Sequence, residues 1–417
     1  MIDPKIAKRG LALVFTTLLL DNIGFGIIMP VLPAYLKELT GVSIGQAAIE
    51  GGWLFFVYAA MQFFFAPIIG NLSDRFGRRP ILLTSVLTFA IDNFICAIAW
   101  SYPMLFIGRM LAGVSGSSYS TASAFIADIS SDQNRAKNFG LLGIAFGVGF
   151  IIGPMLGGLL GAFGPRVPFY FAAALAFANF LIATFLLPET LEQKHRRRFE
   201  WKRANPVGAL LQMRNYPGIG RIGFVFFLIV LGRMMYPAVW SFVTSYRYGW
   251  SQQQIGFSLG IVGLCSAVVM ATVLPRVVAR VGEWRAVAIG LTFATLAALG
   301  YAFATQGWMI YVVIVAGCME ALADPSLRSL AAAKVPPTAQ GELQGAMTSI
   351  FSITSIIAPL LYATVFFMFT APGAPILFGG APYVLGAILL AVAAFVFVNK
   401  VAKPTPREVE LIKRRRR

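Results

Sequence analysis

Gly70-Asn71-Leu72-Ser73-Asp74-Arg75-Phe76-Gly77-Arg78-Arg79-Pro80 is a short, charged, glycine-punctuated stretch between two long apolar runs, Phe55–Ile69 and Ile81–Trp100. Each run can cross a bilayer only as a helix, because lipid offers no partner to open backbone groups. A connection this short makes the two helices antiparallel neighbours. Gly70 is expected to allow close helix approach, and Gly77 to take the left-handed conformation that ends a helical turn. Asp74 is expected to face a helix N-terminus, while Arg75, Arg78 and Arg79 hold this end in the cytoplasm. Charge bias alone yields a generic basic loop, but not this spacing of glycine, aspartate and arginine.

The rest of the chain agrees with a lipid-embedded reading. Its 417 residues are 58% hydrophobic and only 12% charged, about half the charge of a soluble protein. The net charge of +17 would ordinarily suggest nucleic acid, but its placement argues otherwise. Apart from Lys37, Arg166 and Arg247, and from Arg109 and Arg233 inside spans, every Lys and Arg falls in segments that alternate to one side of a twelve-span arrangement. That asymmetry predicts both termini in the cytoplasm. No nucleic-acid partner is expected; the basic tail suits anionic headgroups. Cys96, Cys265 and Cys318 lie in apolar runs without metal spacing, and the single histidine, His195, sits in a basic segment. A metal site, a cofactor and a Ser/His or Cys/His nucleophile pair are therefore not expected, and the chain does not read as an enzyme. The first apolar run is too long for a cleavable signal peptide.

Twelve helices are predicted, at about 9–36, 46–71, 79–100, 103–128, 135–163, 166–188, 219–246, 251–280, 284–304, 307–332, 340–370 and 375–401. This divides the chain into an N-terminal six-helix bundle (1–188), a cytoplasmic basic linker (189–218), a C-terminal six-helix bundle (219–401) and a basic cytoplasmic tail (402–417). A weak repeat supports the division. Arg75-Phe76-Gly77-Arg78-Arg79 returns as Arg280-Val281-Gly282-Glu283-Trp284-Arg285, each between the second and third helix of its half.

The Gly70–Pro80 run resembles the loop between helices 2 and 3 of the major facilitator superfamily. Its detail is most similar to drug:proton antiporters of the tetracycline-efflux type. The resemblance covers most of residues 10–190 and thins toward about residue 370. It implies two pseudo-symmetric six-helix bundles that alternate between inward- and outward-open states. In it the loop is a latch formed by Gly70, Asp74, Arg75, Gly77, Arg78 and Arg79, with Asp128 and Arg135 as candidate partners.

Three charged residues lie deep in the first half. Asp21 is about twelve residues past the start of helix 1, near 18 Å deep at the helical rise. An ionised carboxylate there costs on the order of 3 kcal/mol, so it needs a partner, a cavity or a proton. A structural carboxylate satisfied by its neighbours is the other reading. Asp92 lies at similar depth in helix 3. Arg109, in Gly108-Arg109-Met110-Leu111-Ala112-Gly113, resembles the arginine of the family's second motif. The resemblance makes Asp21 the leading proton carrier, with Arg109 tuning it and Asp92 relaying protons or binding substrate. Asn22, Gln62 and Asn93 join the candidate substrate set. Gly149-x-x-x-Gly153-Pro154-x-x-Gly157-Gly158 in helix 5 resembles the exporter motif and favours efflux over uptake; glycines at this spacing also serve ordinary close packing.

The second half departs from the tetracycline pattern. Where those pumps place a histidine and an aspartate, this chain has Leu264-Cys265-Ser266 and Leu291-Thr292-Phe293-Ala294. Helix 10 instead carries Glu320 and Asp324, four apart on one face, with Arg328 a turn further on. Asp324 is expected to pair with Arg328. Glu320 is read either as a second titrating or cation-binding group with Arg233 as its counter-ion or as a structural carboxylate. Tyr236, Trp240 and Phe242 are read either as aromatic surfaces for a flat substrate or as ordinary helix packing. The expectation is a monomeric, multi-pass carrier of the bacterial inner membrane, driven by the proton gradient and exporting an amphipathic organic solute. An uptake carrier or facilitator of the same fold is the alternative.

Overall fold

A computed structural model describes residues 4–131, 133–197, 218–336 and 339–403. Every regular element there is helical. The first unit holds α1 (Pro4–Thr40), α2 (Ile44–Phe76), α3 (Arg78–Ile98), α4 (Tyr102–Ser115), α5 (Tyr119–Ile129), α6 (Arg135–Gly161) and α7 (Val167–Leu186). The second holds α8 (Ile219–Arg233), α9 (Met235–Tyr248), the C-terminal part of α10 (Gln252–Val268), α11 (Leu274–Phe303), α12 (Gly307–Gly317), α13 (Ala323–Ala333), α14 (Gln340–Met368) and α15 (Ala381–Lys400).

These helices make twelve spans. Ten continuous helical stretches are long and apolar enough to cross a membrane. One of them, Gln252–Phe303, is two spans folded back at Gly282, whose backbone leaves the helix at φ 79°, ψ 167°. The fourth span is interrupted by a 3₁₀ turn at Gly116–Ser118 between α4 and α5. Pro30, Pro33, Pro67, Pro154 and Pro359 sit inside helices, as neighbouring spans in a membrane bundle permit.

Several boundaries differ from the sequence reading. The span predicted at 219–246 breaks at Met234, which separates α8 from α9. The tenth carries a 3₁₀ segment at Cys318–Leu322, and the eighth a π-helical turn at Val269–Val273. The last span begins at Ala381 rather than 375, because Pro372, Gly373 and Pro375 break the helical ladder before it. Of the predicted linker, 198–217 lies outside the described residues, as does 404–417 of the predicted tail.

The first unit also takes in Trp250–Gly260, which the sequence assigned wholly to the second half. The glycine frame of α6 explains this. A Cβ on Gly158 would collide with the Gln252 carbonyl and Gly256, so the start of α10 packs directly on α6. Gly149, Gly153 and Gly157 form the other face and meet Asn22, Ile23 and Ile27 of α1. Four-residue spacing puts these three on one side of the helix.

Each unit closes the C-terminal end of its third span with an arginine and a tyrosine. In the first, Arg166 donates to the Ala99 carbonyl (2.7 Å) and stacks over Tyr35, whose hydroxyl donates to the Cys96 carbonyl (2.5 Å). In the second, Arg247 donates to the carbonyls of Tyr301 and Ala302 (both 2.9 Å), and the Tyr248 hydroxyl to Ala304 (2.6 Å). The last carbonyls of a helix have no intrahelical donor, and these side chains supply one.

Candidate functional site

The turn at residues 70–80 is tied to three other segments by side-chain and backbone hydrogen bonds. Arg78 is 8% exposed. It donates to Asp74 (2.5 Å), to the Ser73 hydroxyl (2.7 Å) and to Asp128 (3.2 Å). Asp74 thus faces an arginine rather than a helix N-terminus. The N-terminus of α3 is capped instead by Glu189, which accepts from the N–H groups of Arg78 (2.9 Å) and Arg79 (3.3 Å). The start of the predicted linker therefore docks on the turn, reinforced by the Arg197 N–H on the Asp74 carbonyl (3.0 Å). Arg79 reaches the Thr184 carbonyl (2.6 Å), Arg75 lies exposed over Phe76, and Arg135 is exposed at the start of α6.

The two glycines differ from expectation. Gly77 has φ 105°, ψ 162°, a region essentially confined to glycine and distinct from the left-handed helical one. A Cβ there would also overlap the Glu189 carboxylate. At Gly70 a Cβ would lie 3.5 Å from the Ser120 hydroxyl, an ordinary contact. Gly77→Ala is therefore expected to lower export more than tenfold, through strain of about 1–3 kcal/mol, while Gly70→Ala stays near wild type; initial rates at matched expression check both.

The polar cluster of the first unit joins α1, α2, α3 and α4. Asp92 and Asn93 are fully buried. Arg109 contacts Asp92 at 3.4 Å and the Cys96 thiol at 3.3 Å, Ser115 donates to Asp92 at 3.2 Å, and the Asn93 amide donates to it at 2.8 Å. Arg109 Nε and Asn93 Oδ1 have no partner in this arrangement. Asp92 and Asn93 are thus closed off by protein and do not offer a substrate surface. Asp92 acts as the counter-ion of Arg109, the arrangement a buried guanidinium requires.

Asp21 is different. It is half-buried, Ser118 of the 3₁₀ turn is its side-chain hydrogen-bond partner, and among the described residues no cation pairs with it. Tyr58 lies close enough to interact with Asp21, Asp92 and Arg109 together. Gln62 donates to the Gly116 carbonyl (3.1 Å), so it holds the 3₁₀ turn that carries Ser118. Asn22 donates back to Leu18 (2.6 Å) and packs on Gly149.

In the second unit Arg233 pairs with Glu320 at 3.3 Å, and the Tyr236 hydroxyl donates to Glu320 at 3.0 Å. Arg328 and Asp324 pair at 2.8 Å. The guanidinium of Arg233 is the accessible part of the first pair: its side chain is one third exposed, that of Glu320 8%. Trp240 and Phe242 are buried at 1% and 2%. Trp240 lies edge-on to Tyr301 and Tyr383, so both residues are core, and only Tyr236 of the three aromatics keeps an accessible ring. Truncating Arg233 and Glu320 singly and together is expected to give a coupling energy of about 1–3 kcal/mol in thermal unfolding; additive losses would contradict the pair.

Sequence reasoning overlooked Ser73, Glu189, Tyr58, Ser115 and Ser118. Glu189 had one signal, an acid directly after the Pro188 that ends a span. Ser115 and Ser118 lie in a run of small polar residues that suits close packing as well as a cavity lining, and only the contacts separate them from their neighbours.

Two bundles of apolar helices, each interrupted near a buried charged pair, define a secondary carrier of the major facilitator fold. The chain matches the Major Facilitator Superfamily over residues 14–359 and belongs to it. The class C tetracycline resistance protein of Escherichia coli is 36% identical over 86% of this chain and 90% of that protein. The class G protein of Vibrio anguillarum is 37% identical over 89% and 92%. Multidrug resistance protein 2 of Bacillus subtilis is 28% identical over 84% and 88%. Among solved structures, the nucleoside transporter NupG superposes with TM-score 0.73 at 17% identity, covering 93% of this chain and 98% of that one. The human organic anion transporter MFSD10 superposes with TM-score 0.67 at 24% identity, covering 95% and 100%.

Proposed function

We propose that this chain is a proton-coupled exporter of an amphipathic organic solute or drug, working by alternating access across the bacterial inner membrane. The observation that carries this reading is Asp21. It is the one mid-helix carboxylate of the first unit that is reachable and without a cation, beside a second carboxylate already committed to Arg109. A buried acid without a counter-ion is costly in lipid, and taking up and releasing a proton relieves that cost. Arg109 tunes the site, and Glu320 with Arg233 forms the corresponding group of the second half. Asn22 and Gln62 of the first unit and Arg233 and Tyr236 of the second are the candidate solute-contacting residues. The turn at 70–80, with Asp128, is the latch. The chain is read as two six-helix halves with both termini in the cytoplasm, functioning as a monomer without a cofactor.

The tetracycline resistance proteins among its relatives make tetracyclines the first compounds to test. The absence of a histidine or carboxylate at 264–266 and 291–294, and the presence of Glu320 and Asp324, favour a different solute. The test is made in everted vesicles with an acid interior. Adding a transported compound should release protons and collapse the pH gradient, and ligand-dependent thermal shifts across a drug panel identify which compound. Uptake of that compound into whole cells, with no proton release in vesicles, would replace export with import.

A further inference from the structure

At the end of the second unit that carries Arg276, Arg280 and Arg285, a cleft of about 480 Å³ lies between the first turn of α8, the turn after Gly282 and the end of α15. Arg221, Lys400 and Lys403 line it with Trp284 and Asn399, and among the described residues no acidic one does. All three cations are exposed.

Two of the cations are held in place. Arg221 donates to the Lys400 carbonyl at 3.3 Å. Lys403 sits over the Trp284 ring at 5.4 Å. Trp284 is in turn stacked on Phe397 and donates its indole N–H to the Val401 carbonyl at 3.1 Å. These bonds also consume carbonyls at the C-terminus of α15, which would otherwise present negative partial charge to the cleft. What remains is a concave, positive, preorganised site with an interfacial tryptophan, a residue type that favours the headgroup level of a bilayer.

The outer face of α15 supplies the second observation. Ile388, Val392, Phe395 and Val398 are exposed by 54, 42, 66 and 50%. Their three- and four-residue spacing makes one apolar stripe that runs directly to the cleft. An acyl chain fits such a stripe, and a free anion has no use for it.

We propose that this cleft binds the headgroup of an anionic phospholipid, with the acyl chains along α15. Basic pockets at the cytoplasmic ends of membrane helices take such headgroups by charge complementarity. The site is separate from the polar clusters assigned to transport.

The full chain, purified in detergent and exposed to equal amounts of phosphatidylglycerol and phosphatidylcholine, tests this by native mass spectrometry. The wild type should retain phosphatidylglycerol preferentially. Arg221→Gln with Lys403→Gln should weaken that retention about tenfold, whereas Arg276→Gln with Arg280→Gln, which removes the same charge at the same end, should leave it. Equal losses in both double variants would reduce the effect to general electrostatics and overturn the site. Displacement of the lipid by excess inorganic phosphate would assign the cleft to a free anion. A gain in retention on Glu408→Gln with Glu410→Gln would assign it to the two glutamates of the chain's own tail.

Discussion

Asp21→Asn is expected to abolish export driven by a pH gradient while leaving substrate exchange in the absence of a gradient. Asparagine keeps the size of the side chain and a hydrogen bond to Ser118, but it cannot carry a proton. Because Asp21 has no cation partner among the described residues, the substitution strands no buried charge, and folding should be nearly unaffected. Proton release from everted vesicles and counterflow of labelled substrate separate the two activities. Gradient-driven export by this variant would move the coupling role elsewhere. Loss of exchange as well would make Asp21 a substrate or structural group.

Arg109→Ala is expected to fail differently, at the level of the fold. It leaves Asp92, fully buried, without its guanidinium. Removing one member of a buried ion pair costs about 3–5 kcal/mol, much of the stability of a typical domain. The purified variant should unfold well below the wild type in a thermal scan. Adding Asp92→Asn removes the stranded charge and should recover much of that loss without recovering coupled transport. If the second substitution deepened the loss instead, Asp92 would be stabilised by Ser115 and Asn93 rather than by Arg109.

These two outcomes contrast because neighbouring carboxylates in the same unit have different surroundings, and the sequence did not distinguish them. Spacing and hydropathy were enough for the twelve spans, because the bilayer imposes a length and forbids unpaired backbone. They also placed Asp21, Asp92, Arg109, Arg233 and Glu320 deep inside helices. The pairs Asp324–Arg328 and Asp74–Arg78 were within reach, being one helical turn apart. Contacts distant in sequence were not. Glu189 caps α3 from 111 residues away, and periodicity carries no information about that. The same limit left Trp240 and Phe242 open between substrate stacking and packing, because a wide, apolar helix face looks alike whether it borders a cavity or a packed layer. The turn at Gly116–Ser118 has no nearby proline to announce it, whereas Pro237 and Pro325 follow the breaks at Met234 and Cys318–Leu322 by three residues and offer no N–H to the carbonyls of Arg233 and Ala321.

The tight-wound segments in the fourth and tenth spans have a geometric consequence. A 3₁₀ helix advances about 2.0 Å and turns about 120° per residue, against about 1.5 Å and 100° for an α-helix. If the five residues Cys318–Leu322 relaxed to α geometry, α13 would screw about 100° around its axis and retract about 2.5 Å relative to α12. For the three residues Gly116–Ser118 the corresponding motion is about 60° and 1.5 Å. A rotation of that size would swing Ser118 out of reach of Asp21 and carry Glu320 away from Arg233, with no movement of whole bundles. Proton affinity and helix winding would then be two readings of one coordinate.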